Sequence, residues 1–178
     1  MRRAPASASE LATTVRKTNS MRYLEAKRIP YHAYEFSRDI RSADDAAQAM
    51  GVPPCAVYKT LVVTREHGRP LLVMMPGDRA LDLKRLARAV GEKKLHMATH
   101  REAESLTGLE VGGISPLGLL HKGFEVFADA AIAQQPEVHV SAGCRGLNLR
   151  LRADDLLKVT QARLAPLAVP TQKETGPW

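Results

Sequence analysis

Two short stretches of this sequence combine glycine with residues that can bind an anion or polarise a carbonyl group. The first, residues 111–118 (VGGISPLG), contains three glycines and a proline. It therefore cannot form a regular helix and would be a poor central strand. Its free backbone N–H groups could line a concavity that accepts a phosphate, a carboxylate or an ester carbonyl. A tight connection between a helix and a strand would use the same residue types, because most Gly/Pro clusters are turns.

The second stretch is residues 141–146 (SAGCRG), in which Ser141 and Arg145 surround glycines. The serine could donate a hydrogen bond to a ligand and the arginine could clamp a phosphate, although turn formation and surface exposure explain both equally well. Lys59 is conspicuous for another reason, since it lies inside the apolar run 57–63 (VYKTLVV). Lysine is rarely buried without a partner, so Lys59 either binds an anion or extends its amine to water.

The sequence gives little support for a cysteine nucleophile, a zinc site or a nucleotide-binding motif. Cys144 has no histidine partner that the sequence can assign, and His96 and His100 lack a third ligand for zinc. The sequence has no phosphate-binding P-loop and no dinucleotide fingerprint. We therefore expect no metal and no cofactor.

Length and composition indicate one domain with an ordinary core. The chain has 178 residues, a net charge of +7 and a pI near 9.7, which makes a polyanion a plausible partner. Two cysteines are too few for a disulfide framework, which favours a reducing, cytoplasmic setting, and no apolar run is long enough to span a membrane. We expect residues 1–17 to be a disordered basic tail and residues 169–178 to be a loose one.

Hydrophobic periodicity and capping signals predict alternating helices and strands without a regular βαβ rhythm, and hence an α+β fold with a mixed, curved sheet. A hairpin over residues 57–63 and 70–75 is the clearest element. Helices are predicted over residues 19–28, 99–106 and from about 153, and between the caps Ser42 and Gly51 and the caps Asp82 and Gly91. Further strands are predicted over residues 31–36, 95–98, 124–128, 137–140 and 146–151. The third predicted helix and the residues just after it carry a basic surface, which comprises Lys84, Arg85, Arg88, Lys93 and Lys94.

Four strings occur in an order that resembles the YbaK/EbsC family, relatives of the editing domain inserted in bacterial prolyl-tRNA synthetases. They are residues 57–61 (VYKTL), 81–84 (LDLK), 111–118 (VGGISPLG) and 140–147 (VSAGCRGL). The resemblance covers about residues 19–167. It implies a single α+β domain over residues 18–168, with a mixed, barrel-like sheet flanked by helices.

The resemblance also implies an activity: deacylation in trans of mischarged aminoacyl-tRNA, most often cysteine on proline tRNA, without a metal or a cofactor. Prolyl-tRNA synthetase is the partner that it suggests. In the cysteine-specific relatives the thiol of the substrate attacks its own carbonyl, so the protein supplies positioning and carbonyl polarisation. The residues expected to carry catalysis are Lys59, Gly112, Gly113 and Ser141. The residues expected to bind substrate are Tyr34, Ser115, Arg145 and Asn148.

Two positions depart from the family pattern and leave the amino acid open. Asn148 stands where an acid often follows the Arg-Gly-Leu string, and an aromatic residue early in the second helix is replaced around Ser42. Asparagine keeps hydrogen-bonding capacity but loses a charge that could pair with an amino group. Editing of alanine or serine is therefore an alternative, as is a module that binds tRNA or a synthetase without catalysis.

Overall fold

A sheet with both parallel and antiparallel strands is the centre of the fold. The computed structural model of the protein describes residues 16–171. Its strands are β1 His32–Glu35, β2 Val57–Arg65, β3 Leu71–Pro76, β4 Arg79–Leu81, β5 Leu95–Met97, β6 Glu125–Asp129, β7 Glu137–Ser141, β8 Leu147–Arg152, β9 Arg163–Ala165 and β10 Ala168–Pro170. The predicted α+β class with a mixed sheet is confirmed.

The main sheet runs in the order β1-β8-β7-β2-β3-β6-β9, and β4 pairs separately with β10. β2 pairs in parallel with β7, β3 with β6 and β6 with β9, whereas the other pairs are antiparallel. One edge of β2 is shared, since β7 pairs with its start at Val57 and β5 pairs with its end at Arg65. A strand whose partners change along its length cannot lie in a flat sheet, because each pair adds its own twist.

Short helices with well-formed ends cover the sheet. They are α1 Asn19–Ala26, α2 Ala43–Met50, α3 Leu83–Val90, α4 His100–Thr107 and α5 Ala153–Thr160. The predicted caps Ser42, Asp82 and Thr99 each accept a backbone N–H with the side chain, and Gly51 and Gly91 end their helices in the left-handed region. Thr99 forms the reciprocal capping box with Glu102. At α2 the acidic side chain accepts from the hydroxyl of the cap instead of from its backbone N–H: the Ser42 hydroxyl donates to the Asp45 carboxylate at 2.7 Å.

Alternation along the strands divides the core into two layers. One face of the sheet packs against α1, α4 and α5 through residues such as Val140 and Leu149. The opposite face packs against α3 through Val73, Met75 and Phe127. β3 is buried along its whole length, as its continuous apolar run predicts. On the face that α3 covers, the part formed by β1, β8, β7 and the start of β2 carries polar residues instead.

The prediction of a loose tail from residue 169 is wrong for its first residues, because β10 pairs with β4 through Val169 and Ala80. Residues 1–15 and 172–178 lie outside the described part, and with them most of both predicted tails. β4, β9 and β10 are not among the predicted strands; each has three residues, which gives little alternation of polar and apolar residues from which to predict them.

Within residues 16–171, none of the helices has the length and apolar character that crossing a bilayer requires.

A buried carboxylate fastens the C-terminal segment to the sheet. Asp129, at the end of β6, accepts hydrogen bonds from the backbone N–H groups of Leu167 at 2.8 Å, Ala168 at 2.7 Å and Ala131 at 2.9 Å. Asp129→Asn presents amide hydrogens to some of these donors, so at least one buried N–H loses its acceptor. We expect the free energy of unfolding to fall by about 2–4 kcal/mol, measured by urea denaturation. Asp154→Asn, on the exposed start of α5, is the control and should change it by less than about 0.5 kcal/mol; equal stability of the two variants would contradict the assignment.

Candidate functional site

Strand register brings four of the predicted site residues into one row across the sheet. Tyr34 on β1 lies opposite Asn148 on β8, and Asn148 lies opposite Ser141 on β7. The parallel pair of Tyr58 with Val140 places Lys59, the next residue of β2, level with Ser141. Directly paired residues point to the same side of a sheet, so these side chains share the polar face.

A cavity of about 320 Å³ lies over this row, at the lower end of the range for ligand sites. Its floor is β2, β7 and β8, and its walls are the N-terminal end of α2 and three residues of the first glycine loop (residues 111–118), namely Val111, Gly112 and Ile114. The polar or charged lining residues are Arg41, Ser42, Asp44, Lys59, Thr60, Ser141, Asn148 and Thr171. The apolar ones include Phe36, Ile40, Leu61, Val111 and Ile114.

Lys59 is half-buried in the floor of the cavity. Its Nζ donates to the carbonyl oxygen of Gly77 at 3.2 Å. Burial lowers the pKa of the Lys59 amine from its ordinary value, and the negative charges of Asp44 and Asp78 partly oppose that shift. The amine therefore keeps donors that a ligand oxygen can use, in a setting where its charge is less screened than in water.

The two glycine loops are in direct backbone contact. A Cβ atom on Gly113 would lie 2.7 Å from the carbonyl carbon of Cys144, so no side chain fits there. Gly112 has a φ of +92°, in the left-handed region that favours glycine. Arg145 fixes the arrangement, because its Nε donates to the carbonyl oxygen of Val111 at 2.7 Å and its side chain covers Gly112.

Ser141 begins the second loop and shapes it. Its Oγ accepts the N–H of Gly143 at 3.2 Å and can donate to the carbonyl oxygen of Cys144 at 3.4 Å. Asn148 lies beside it, buried, with its side chain on the cavity floor. Both residues therefore present neutral hydrogen-bonding groups next to the Lys59 amine.

Four of the eight predicted site residues thus line one cavity: Lys59, Gly112, Ser141 and Asn148. Gly113 does not line it, and its N–H already donates to the carbonyl oxygen of Glu110 at 2.9 Å. Among the described residues the N–H of Gly112 has no acceptor, so Gly112 is the loop glycine with a free donor. Of the two glycines, the hydrogen bonds favour Gly112 as the one whose amide a ligand can use, and a catalytic role for either stays a prediction.

The other three predicted residues, Tyr34, Ser115 and Arg145, are not among those that line the cavity. Ser115, in the first glycine loop, is fully buried and so cannot touch a substrate. Arg145 holds the loop backbone rather than lining the cavity. Tyr34 packs edge-on against the His139 ring, with centroids 5.2 Å apart, and under the Arg150 guanidinium. Direct substrate contact by these three is therefore not what the geometry supports.

Sequence reasoning missed the wall that α2 contributes. Arg41 and Asp44 line the cavity at the start of this helix, and Phe36 and Ile40 approach it from the preceding loop. The capping signal at Ser42 predicts where the helix begins, but it carries no information about which element that end faces. Gly77 was missed for the same reason, since its carbonyl binds Lys59 across the hairpin.

Lys59 lines none of three other clefts of the described part. One of them, of about 510 Å³, has charged residues of its own in its lining, namely Lys27, Arg28, Asp155 and Lys158. A larger one of about 750 Å³ lies between α1 and α5, and no Lys, Arg, Asp or Glu lines it. No group of three or more His, Cys, Asp or Glu side chains within residues 16–171 is arranged to hold a metal ion. His96 and His100 accordingly have no third ligand there.

A comparison with protein-family models decides the family. Residues 37–159 match the model described as "Aminoacyl-tRNA editing domain". The chain belongs to this family. The matched range contains both glycine loops, Lys59 and the cavity wall from α2.

Named relatives agree with the family. The chain is 36% identical to "Putative Cys-tRNA(Pro)/Cys-tRNA(Cys) deacylase EbsC" of Enterococcus faecalis over 86% of its own length and 94% of the relative. It is 32% identical to the proline–tRNA ligase of Thermodesulfovibrio yellowstonii over 66% of its length, but it spans only 19% of that enzyme. Among solved structures, one entitled "Crystal structure of a putative trans-editing enzyme for prolyl tRNA synthetase" superposes with a TM-score of 0.74 and 29% identity, over 87% of this chain and 99% of the other.

The backbone contact at Gly113 generates a stability test. Gly113→Ala forces the two loops apart, because the new methyl group would overlap the backbone of Cys144. We expect a loss of about 1–3 kcal/mol in the free energy of unfolding, measured by denaturant titration. Gly118→Ala in the same loop is the matched control, since its Cβ would lie 3.4 Å from Ser20 Oγ and neither glycine needs a positive φ. Similar losses in both variants would show that the loops are not packed as described.

Proposed function

We propose that this protein removes amino acids from mischarged tRNA by cleaving the ester bond to the terminal ribose. The observation that carries the proposal is the juxtaposition of Lys59, the free N–H of Gly112 and the Ser141 hydroxyl in one small cavity of a chain that belongs to the aminoacyl-tRNA editing family. An aminoacyl ester is already activated, so the site needs to orient it and to stabilise negative charge on its carbonyl oxygen.

The geometry supports a division of labour in that site. We assign the N–H of Gly112, which has no acceptor among the described residues, to the carbonyl oxygen that gains charge, and the Lys59 amine as a second donor for that oxygen or for the adjacent phosphate. Asn148 and Ser141 offer neutral groups that orient the aminoacyl moiety. Water, or a thiol of the substrate itself, attacks the carbonyl carbon and breaks its bond to the ribose oxygen. The proton that the attacking group loses passes to that oxygen, which leaves as the free hydroxyl of tRNA.

We propose cysteine on proline tRNA as the substrate, because the Enterococcus faecalis relative that is similar over nearly its whole length carries that name. In that case the substrate thiol attacks the carbonyl carbon, forms a cyclic thioester and expels the tRNA hydroxyl. Water then opens the thioester. Alanine or serine on tRNA is the alternative substrate. The observation in its favour is the neutral Asn148, which stands at a position where the family often has an acid.

The basic surface of α3 is the part of the molecule best suited to the tRNA backbone. Lys84, Arg85 and Arg88 are exposed on this helix. β4, of three residues, lies between the cavity residue Gly77 and the start of α3 at Leu83, so the helix follows the cavity closely in the chain. Phosphate contacts of this kind give affinity that is independent of sequence and falls with salt.

Lys59→Ala tests the reaction. We expect the rate of deacylation of cysteine-charged proline tRNA to fall by at least about 100-fold, as removal of one donor to a developing oxyanion does. The measurement is release of labelled amino acid by purified protein, with alanine- and serine-charged proline tRNA assayed beside it. Lys158→Ala, on the exposed side of α5, should retain the wild-type rate.

Two results of this assay would count against the proposal. Wild-type rates in Lys59→Ala would remove the lysine from the mechanism. A wild-type protein that binds tRNA but releases no amino acid from any of the three substrates would favour the non-catalytic module. Unchanged thermal melting of the variant shows that a lost rate is not a lost fold.

The double variant Lys84→Glu/Arg88→Glu tests the tRNA surface. Because two phosphate contacts become repulsive, we expect tRNA affinity to fall by at least about tenfold at low salt and the slope of log K against log salt to become shallower. Fluorescence anisotropy with labelled tRNA measures both. Arg101→Glu, on α4 at the opposite face of the sheet, is the control and should bind nearly as wild type does. Equal losses from the two faces would refute a docking surface on α3.

A further inference from the structure

The cavity contains two cations and one anion, and the anion is the part that the family motifs do not explain. Arg41 and Lys59 are its basic lining residues. Asp44, on the first turn of α2, is the sole carboxylate among the described residues that line it. On the floor nearby, Asn148 supplies a neutral amide.

The Asp44 carboxylate is available to a ligand. Its neighbour Asp45 is occupied, since it accepts from the Ser42 hydroxyl and its own N–H donates to Ser42. Within residues 16–171 the side chain of Asp44 has neither a hydrogen bond nor an ion pair, although its charge acts on Lys59 across the cavity. Its oxygens therefore keep their capacity to accept hydrogen bonds from a ligand.

The substrate of the proposed function also carries both negative and positive groups. An aminoacyl-tRNA end carries phosphates, a carbonyl and, one carbon from that carbonyl, an α-ammonium group. The two cations and the Gly112 N–H suit the first two groups. Of these three ligand groups, the Asp44 carboxylate suits only the ammonium group, because an ionised carboxylate repels a phosphate and cannot donate a hydrogen bond to a carbonyl.

We propose that Asp44 binds the α-ammonium group of the aminoacyl ester and thereby fixes the carbonyl over Lys59 and Gly112. The inference rests on the proposed function, since it names the group of that substrate which Asp44 recognises. It also gives the cavity a requirement for a free amino group, so that blocked amino acids are poor ligands whatever their side chain.

Asp44 has one other role that the contacts allow, which is to stabilise the charged form of Lys59. The two roles predict different dependence on the ligand. If Asp44 binds the ammonium group, it discriminates between a free and an acetylated amine. If it acts only through Lys59, its loss weakens both ligands equally.

Binding of a stable substrate analogue separates these roles. The probe is 3′-amino-3′-deoxyadenosine 5′-phosphate carrying cysteine in amide linkage, used with a free and with an N-acetylated amine, and its affinity is measured by calorimetry. We expect the wild-type protein to prefer the free amine by about 10- to 100-fold, the usual effect of a hydrogen bond to a charged group. Asp44→Asn should reduce that ratio to about one. Asp45→Asn, which removes the same charge from the same helical turn outside the cavity lining, should preserve it.

Several outcomes would overturn the proposal. A preference for the free amine that survives Asp44→Asn removes Asp44 from recognition, and an equal loss of both analogues assigns it to Lys59. A wild-type protein that binds neither analogue also refutes it. If the preference is present and depends on Asp44 but no aminoacyl-tRNA is cleaved, ammonium recognition is supported and only the proposed catalytic function fails.

Discussion

The backbone contact between the two glycine loops determines the shape of the site. Gly113 leaves no room for a side chain against the backbone of Cys144, and the Arg145 guanidinium closes the gap by binding the carbonyl oxygen of Val111. Because the second loop continues directly from β7, this contact fixes the first loop relative to the sheet. The free N–H of Gly112 consequently lies on the same cavity as the strand residues. Polar groups held in this way need little reorganisation when charge develops nearby, which is the property that carbonyl polarisation requires.

The sheet holds the other half of the site by register. Ser141 and Asn148 are directly paired, and Lys59 lies level with them on the next strand. A half-buried amine is costly unless it has partners, and here a backbone carbonyl and two distant carboxylates partly compensate its desolvation. The cost of burying Lys59 is thus offset by groups outside its own strand. The strand remains ordered because its opposite face, including Tyr58 and Val62, is part of the core.

Much of the fold is predictable from local signals, and the limits of those signals are physical. The hairpin of β2 and β3 follows from apolar runs around a turn, and helix ends such as Asp82 and Gly91 follow from capping chemistry. Strands of three residues give little periodic pattern, and of the four in the described part only β5 is predicted. The site is predictable by residue type but not by orientation. Ser115 and Gly112 are three positions apart in one loop, yet one is fully buried and the other is exposed to the cavity, a difference set by tertiary contacts.

The division of the cavity between sheet and helix explains why the motifs predict a reaction class more readily than an amino acid. Groups suited to act on the ester, Lys59 and Ser141 among them, lie on strands and on loops that continue from strands. The larger apolar residues of the lining come from β2 and the first glycine loop, through Leu61, Val111 and Ile114, and also from the segment before α2, through Phe36 and Ile40. This segment lies between β1 and the helix, so its residues can vary without disturbing strand register. Discrimination by an apolar wall is modest for small side chains, since a single methylene changes affinity by about 1–3 kcal/mol. In the proposed scheme, the contact of Asp44 with the amino group that all amino acids share would fix the ester in place, and selection of the side chain would be left to the apolar lining.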